Sequence, residues 1–177
     1  MKKLIVFFPG AGYGMDCPLL YYADFLFETN GYERMHMNYQ NILACAERPL
    51  EVKLQLLREY TWSQMQNVNF CEYEEIVFLS KSIGAIEAGI IAEKLDVPVK
   101  QIFLTPVEEA AAYLRSDSCV VIGTNDKAYR FYKTCCEEKD VKALYIEGAD
   151  HSLEIAGKPY ESIKALESVM RFIENDG

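Results

Sequence analysis

The stretch Ile76-Val77-Phe78-Leu79-Ser80-Lys81-Ser82-Ile83-Gly84 sets the reading of the whole chain. Ile76–Ser80 is a short apolar run that suits a buried strand, and Ile83–Leu95, rich in Ala and Gly, suits a helix lying close to a sheet. Strand, sharp turn and helix with Ser82 at the apex is the geometry of a serine nucleophile. The central residue of such a turn is strained, and small residues two before and two after it avoid clashes. The usual pattern is G-x-S-x-G. Here Ser80 takes the place of the first glycine and Gly84 keeps the second. The competing reading makes Ser82 an N-cap, a position that serine favours. A hydroxyl nucleophile needs a base, so the choice rests on the other loops.

Five more apolar runs read as buried parallel strands: Lys3–Phe8, Glu33–Asn38, Gln101–Thr105, Cys119–Gly123 and Lys142–Glu147. Helical patterns lie between them at Pro18–Asn30, Pro49–Asn67, Val107–Arg115, Lys127–Glu138 and Tyr160–Glu174. Regular alternation predicts an α/β fold, a three-layer sandwich of about six mostly parallel strands in one domain over residues 1–177. Right-handed crossovers put every loop after a strand on one edge of the sheet, where ligands bind in such folds.

Two of those loops hold acid–base groups. Gly148-Ala149-Asp150-His151-Ser152 follows the last strand and contains one of the chain's 2 histidines. The other, His36, falls inside a predicted strand and reads as a packed or edge side chain. Gly123-Thr124-Asn125-Asp126-Lys127 follows the fifth strand. Asp126 reads either as a first-turn acid of the next helix or as the acid that orients His151. Asp150 is the rival for the second role, but side chains adjacent on a turn diverge, which favours Asp126.

The order Ser82, Asp126, His151 and the placement of each after its strand resemble the α/β-hydrolases. The first strand ends in Phe8-Pro9-Gly10-Ala11-Gly12-Tyr13-Gly14, which resembles that family's oxyanion loop with Pro9 where histidine is common. A dinucleotide fingerprint would need glycine at position 15, which is Met15, and a phosphate cradle would need a G-K-[ST] ending. From Lys3 to Glu174 the chain resembles a minimal α/β-hydrolase without the N-terminal hairpin, its strands matching strands three to eight of that fold. The resemblance implies a Ser-His-Asp mechanism with Ser82 as nucleophile, His151 as base and Asp126 as orienting acid. It implies that the backbone N–H groups of Ala11 and Ile83 stabilise the oxyanion. It also puts Gly10, Gly12, Tyr13, Lys81 and Pro106 beside the substrate.

Thr105-Pro106 runs almost directly into the next helix, leaving no room for a cap domain. An open, shallow site is expected, bordered by Tyr13, Met15, Lys81, the Pro106 loop and the segment around Tyr39. Lys81 reads as a solvated surface lysine or as a group attracting an anion at the mouth. The Tyr21-Tyr22 pair reads as packing rather than binding, and Cys135-Cys136 in one helix cannot both face the core.

Composition narrows the partners. Lysines and arginines number 18 against 27 acids, a net charge of 18 − 27 = −9. No basic patch is available for nucleic acid or an anionic membrane surface. The apolar run in MKKLIVFF is too short for a signal peptide. The 6 cysteines are scattered without a CxxC pair, which points to reduced thiols and the cytoplasm and away from zinc. The expected partner is a small acyl substrate, with no metal or organic cofactor. The leading expectation is a serine hydrolase of a small carboxylic ester or thioester. An acyltransferase or peptidase using the same triad, and a catalytically silent binding protein, are the alternatives.

Overall fold

A parallel sheet is dictated by the six apolar runs, and its strand order is β2-β1-β3-β4-β5-β6. The computed structural model describes residues 2–44 and 48–176. The strands are β1 (Lys2–Phe8), β2 (Glu33–His36), β3 (Tyr73–Lys81), β4 (Lys100–Leu104), β5 (Cys119–Gly123) and β6 (Lys142–Ile146). Each neighbouring pair is parallel. The helices are α1 (Pro18–Thr29), α2 (Gln40–Leu43), α3 (Leu50–Met65), α4 (Gly84–Lys94), α5 (Tyr129–Lys139) and α6 (Pro159–Asp176).

Alternation along the strands divides the core into two layers. Ile5, Phe7, Val77, Leu79, Ile102, Leu104 and Val121 face α1 and α6. Leu4, Val6, Phe8, Ile76 and Phe78 face the opposite side, under α3 and α4. Phe103, Val120 and Ile122 continue that side under α5. Side chains buried on both faces explain why these strands read as unbroken apolar runs.

Several expected elements differ in detail. β3 extends one residue past the predicted Ser80, to Lys81, and β2 stops at His36 instead of Asn38. The helix expected over Val107–Arg115 is a 3₁₀ helix at Glu108–Tyr113. The chain is extended on both sides of it, at Val107 and at Leu114. Side chains of α5 tie this segment down: Lys139 Nζ donates to Ala111 O and Leu114 O, and the Tyr132 hydroxyl donates to Val107 O. Tyr21 and Tyr22, expected as packing, meet edge-on with centroids 5.2 Å apart and are 57% and 49% exposed. Cys136 is buried and Cys135 half-buried, and burial pushes the Cys136 thiol up to about 11.

One buried acid stands apart. The Glu87 side chain on α4 is fully buried 3.7 Å from Arg58 Nη2, and both its oxygens lack a hydrogen bond among the described residues. Burial pushes its carboxyl up to about 6, against the opposing charges of Arg58 and Lys94. A folded-state value above the unfolded one gives stability that is full below the unfolded value of 4.5 and lost as pH rises through about 6. Glu87→Gln removes this dependence. Denaturant unfolding should show the variant gaining about 2 kcal/mol on wild type between pH 4 and pH 7.5. An unchanged difference at the two pH values would contradict this.

Candidate active site

β3 ends at Lys81, and Ser82 takes a left-handed conformation at φ 54° before α4 opens at Gly84. Such a conformation costs a serine about 1–3 kcal/mol and persists only where its surroundings enforce it. Here the Ser82 amide donates to Leu104 O, and Ser82 O accepts from the Ala85 amide. The N-cap reading of Ser82 is corrected: Ile83 holds that position, and no side chain caps the helix. Gly84 is required by close approach, because a Cβ there would lie 2.3 Å from Phe8 O and 2.5 Å from Pro9 O. Ser80 stands where the usual pattern has its first glycine. It is buried, and its hydroxyl donates to Ile102 O at 3.3 Å.

Ser82, His151 and Asp126 meet in one line. Ser82 Oγ lies 2.8 Å from His151 Nε2. His151 Nδ1 lies 2.6 Å from Asp126 Oδ2. An ionised carboxylate only accepts, so Nδ1–H donates to Asp126 and Nε2 accepts from the Ser82 hydroxyl. The other carboxylate oxygen of Asp126, Oδ1, accepts from the Ala128 amide at 2.9 Å just before α5. Burial alone would raise its carboxyl. Hydrogen bonds from His151 and the Ala128 amide, with the charges of His151 and Lys81, outweigh burial and hold it below its ordinary value. Asp150 turns away: its Oδ1 accepts from the Ser152 and Glu154 amides and shapes the turn that presents His151.

The acid and base loops are laced together. Asn125 Nδ2 donates to Gly148 O, the Asn125 amide to Ala149 O, and the Gly148 amide to Thr124 Oγ1. Gly123 permits this, because a Cβ there would fall 2.1 Å from Ala149 O.

The first loop closes on Ser82 from the other side. Gly10 and Tyr13 exchange backbone hydrogen bonds, and Gly12 turns at φ 69°. A Cβ on Gly10 would lie 3.0 Å from Ser82 Cβ. The amides of Ala11 and Ile83 donate no hydrogen bond among the described residues.

Other predicted site residues stand elsewhere. Lys81 is neither solvated nor at the mouth: it is 1% exposed, and its Nζ donates to His151 O at 2.8 Å. Tyr13 places its ring 4.9 Å from that Nζ, and its hydroxyl accepts from the Leu19 amide. Pro106 is buried. Tyr39, expected at the rim, belongs to the core and shares a hydrogen bond of 2.6 Å with Thr61 Oγ1. His36 ends the edge strand β2, packs on Phe7 and pairs with Asp24 at 2.6 Å, apart from the line at Ser82. Thr105 joins them without any sequence pattern to mark it. It is buried at φ 40°, and its hydroxyl donates to His151 O at 2.9 Å.

The His151 side chain keeps 48% of its surface exposed. Beside it lies a cavity of about 550 Å³ lined by Val107, Glu108, Asn125 and Lys127. A second cavity of about 410 Å³, lined by Gly10, Met15, Met37 and Gln40, lies beyond the first loop. Among the described residues no cluster of three or more His, Cys, Asp or Glu could hold a metal ion. No helix among them is long and apolar enough to cross a membrane.

Solved structures superpose on nearly the whole chain. Est1E from Butyrivibrio proteoclasticus matches 99% of it with 88% of its own length, at TM-score 0.68 and 12% identity. A putative hydrolase of the alpha/beta superfamily from Xanthomonas campestris matches 98% of it with 99% of its own length, at 0.69 and 12%. This is the α/β-hydrolase fold. Dienelactone hydrolase from Anabaena variabilis extends the likeness, covering 98% of the chain with 86% of its own, at 0.69 and 13% identity. No family model and no curated protein sequence matches the chain. The β4–β5 connection of this α/β-hydrolase fold holds only the short 3₁₀ helix.

Proposed function

We propose that this protein is a serine hydrolase cleaving a small carboxylic ester or thioester through Ser82, His151 and Asp126. The observation that carries the reading is the unbroken line from Ser82 Oγ through the imidazole to the buried Asp126 carboxylate. Its serine stands on a strained turn. His151 Nε2 takes the Ser82 proton as Oγ attacks the carbonyl carbon. Negative charge develops on the carbonyl oxygen, and the Ala11 and Ile83 amides are the donors available to receive it. Asp126, held ionised, stabilises the imidazolium. His151 then protonates the leaving alcohol or thiol, leaving an acyl-Ser82, and next activates water for deacylation.

The exposure of His151 favours water over a competing acceptor in that second step, and therefore hydrolysis over acyl transfer. The test is hydrolysis of p-nitrophenyl acetate, p-nitrophenyl butyrate and a short acyl thioester. Turnover of at least one is expected, with kcat/KM falling as the acyl chain lengthens, since no cap encloses a long chain. Folded protein inert towards all three would contradict the proposal.

A further inference from the structure

Lys81 takes no part in the proton path, yet it lies where the loops flanking Ser82 come together. Side chains alternate along β3, so Lys81 shares the face of Leu79, on the side of α1 and α6. Its ammonium is buried there and donates to the main-chain carbonyl of His151. The same carbonyl accepts from Thr105 Oγ1, from the end of β4. The cation also stands over the ring of Tyr13, in the first loop. The carbonyl of the candidate base is thus held by two donors from neighbouring strand ends. Shifting the His151 turn would leave a buried ammonium unpaired, which is strongly unfavourable.

We propose that Lys81 is a positioning residue whose buried ammonium fixes the His151 turn against the first loop, so that the imidazole spans Asp126 and Ser82. This rests on the reading of Ser82, His151 and Asp126 given above. A cation is a costly choice for simple filling. Burial lowers the Lys81 ammonium to about 8, against the raising effect of Asp126 and Asp150. An apolar residue of similar length avoids that cost. A space-filling role and a positioning role therefore predict different outcomes for Lys81→Met.

The experiment compares full-length wild type with Lys81→Met and with Lys81→Gln, the second covering a failure of the first to fold. It reads the thermal midpoint, the low-field Nδ1–H proton resonance of His151 and the rate of labelling by a fluorophosphonate. Kinetics on p-nitrophenyl acetate complete it. The expected Lys81→Met protein has a midpoint equal to or above wild type. It loses or broadens the resonance, labels about 10- to 100-fold more slowly, and loses kcat with KM within about twofold. A folded variant that keeps both the resonance and the labelling rate overturns the proposal. So does a wild type without the resonance, because its imidazole is then not held on Asp126. A wild type that shows the resonance but does not label defeats the hydrolase reading alone, and the variants' resonance still decides the role of Lys81.

Discussion

Ser82→Ala is expected to lower kcat on a short ester by about 10⁵- to 10⁶-fold, leaving only the residual rate that binding and oxyanion donors provide. Two features make so large a loss specific. The hydroxyl is the group aligned on His151 Nε2, so its removal leaves the base nothing to activate in the first step. The turn itself is enforced by backbone bonds through the Ser82 amide and carbonyl, which alanine retains. The variant should therefore keep its fold, with stability within about 1 kcal/mol of wild type, the ordinary worth of one hydrogen bond. Steady-state kinetics beside a thermal melt checks both. Retained turnover would remove Ser82 from the mechanism, and an unfolded variant would recast Ser82 as structural.

The second large effect separates the two acids. Asp126→Asn should lower kcat by about 10⁴-fold, because an amide facing Nδ1 favours the tautomer in which Nε2 carries the proton and cannot accept one. Asp150→Asn should stay within about tenfold of wild type. The oxygen that accepts from the Ser152 and Glu154 amides survives as an amide carbonyl, so the turn presenting His151 keeps its shape. Parallel kcat measurements of the two variants decide the matter. A severe loss in Asp150→Asn with a mild one in Asp126→Asn would reassign the orienting acid.

How much of this was legible in the sequence depended on what each signal encodes. Buried strands announce themselves through apolar runs, and β5 was bounded to the residue at Cys119–Gly123. The order of loops follows from topology, which puts Ser82, Asp126 and His151 on one edge of the sheet. Direction of side chains was harder to read. Ending β3 at Ser80 left Lys81 in a loop, where a lysine reads as solvated; extending the strand by one residue turns it onto the buried face. Tyr39 was misjudged for a similar reason, since its hydroxyl partner Thr61 lies 22 residues away on α3. Thr105 carried no local signal at all. Its positive φ, and its bond to a carbonyl 46 residues away, leave no trace in the neighbouring sequence. Short segments also escaped: the four residues of α2 cannot display a helical period. The two carboxylate oxygens of Asp126 face different partners, the Ala128 amide and His151 Nδ1, a division that residue type alone does not reveal.

An activated nucleophile at Ser82 should react with a fluorophosphonate, and intact-mass spectrometry after incubation reads that reaction. Wild type is expected to gain a single phosphonyl adduct, and Ser82→Ala none under the same conditions. Folded wild type that gains no adduct, or a Ser82→Ala protein that gains one, would contradict it.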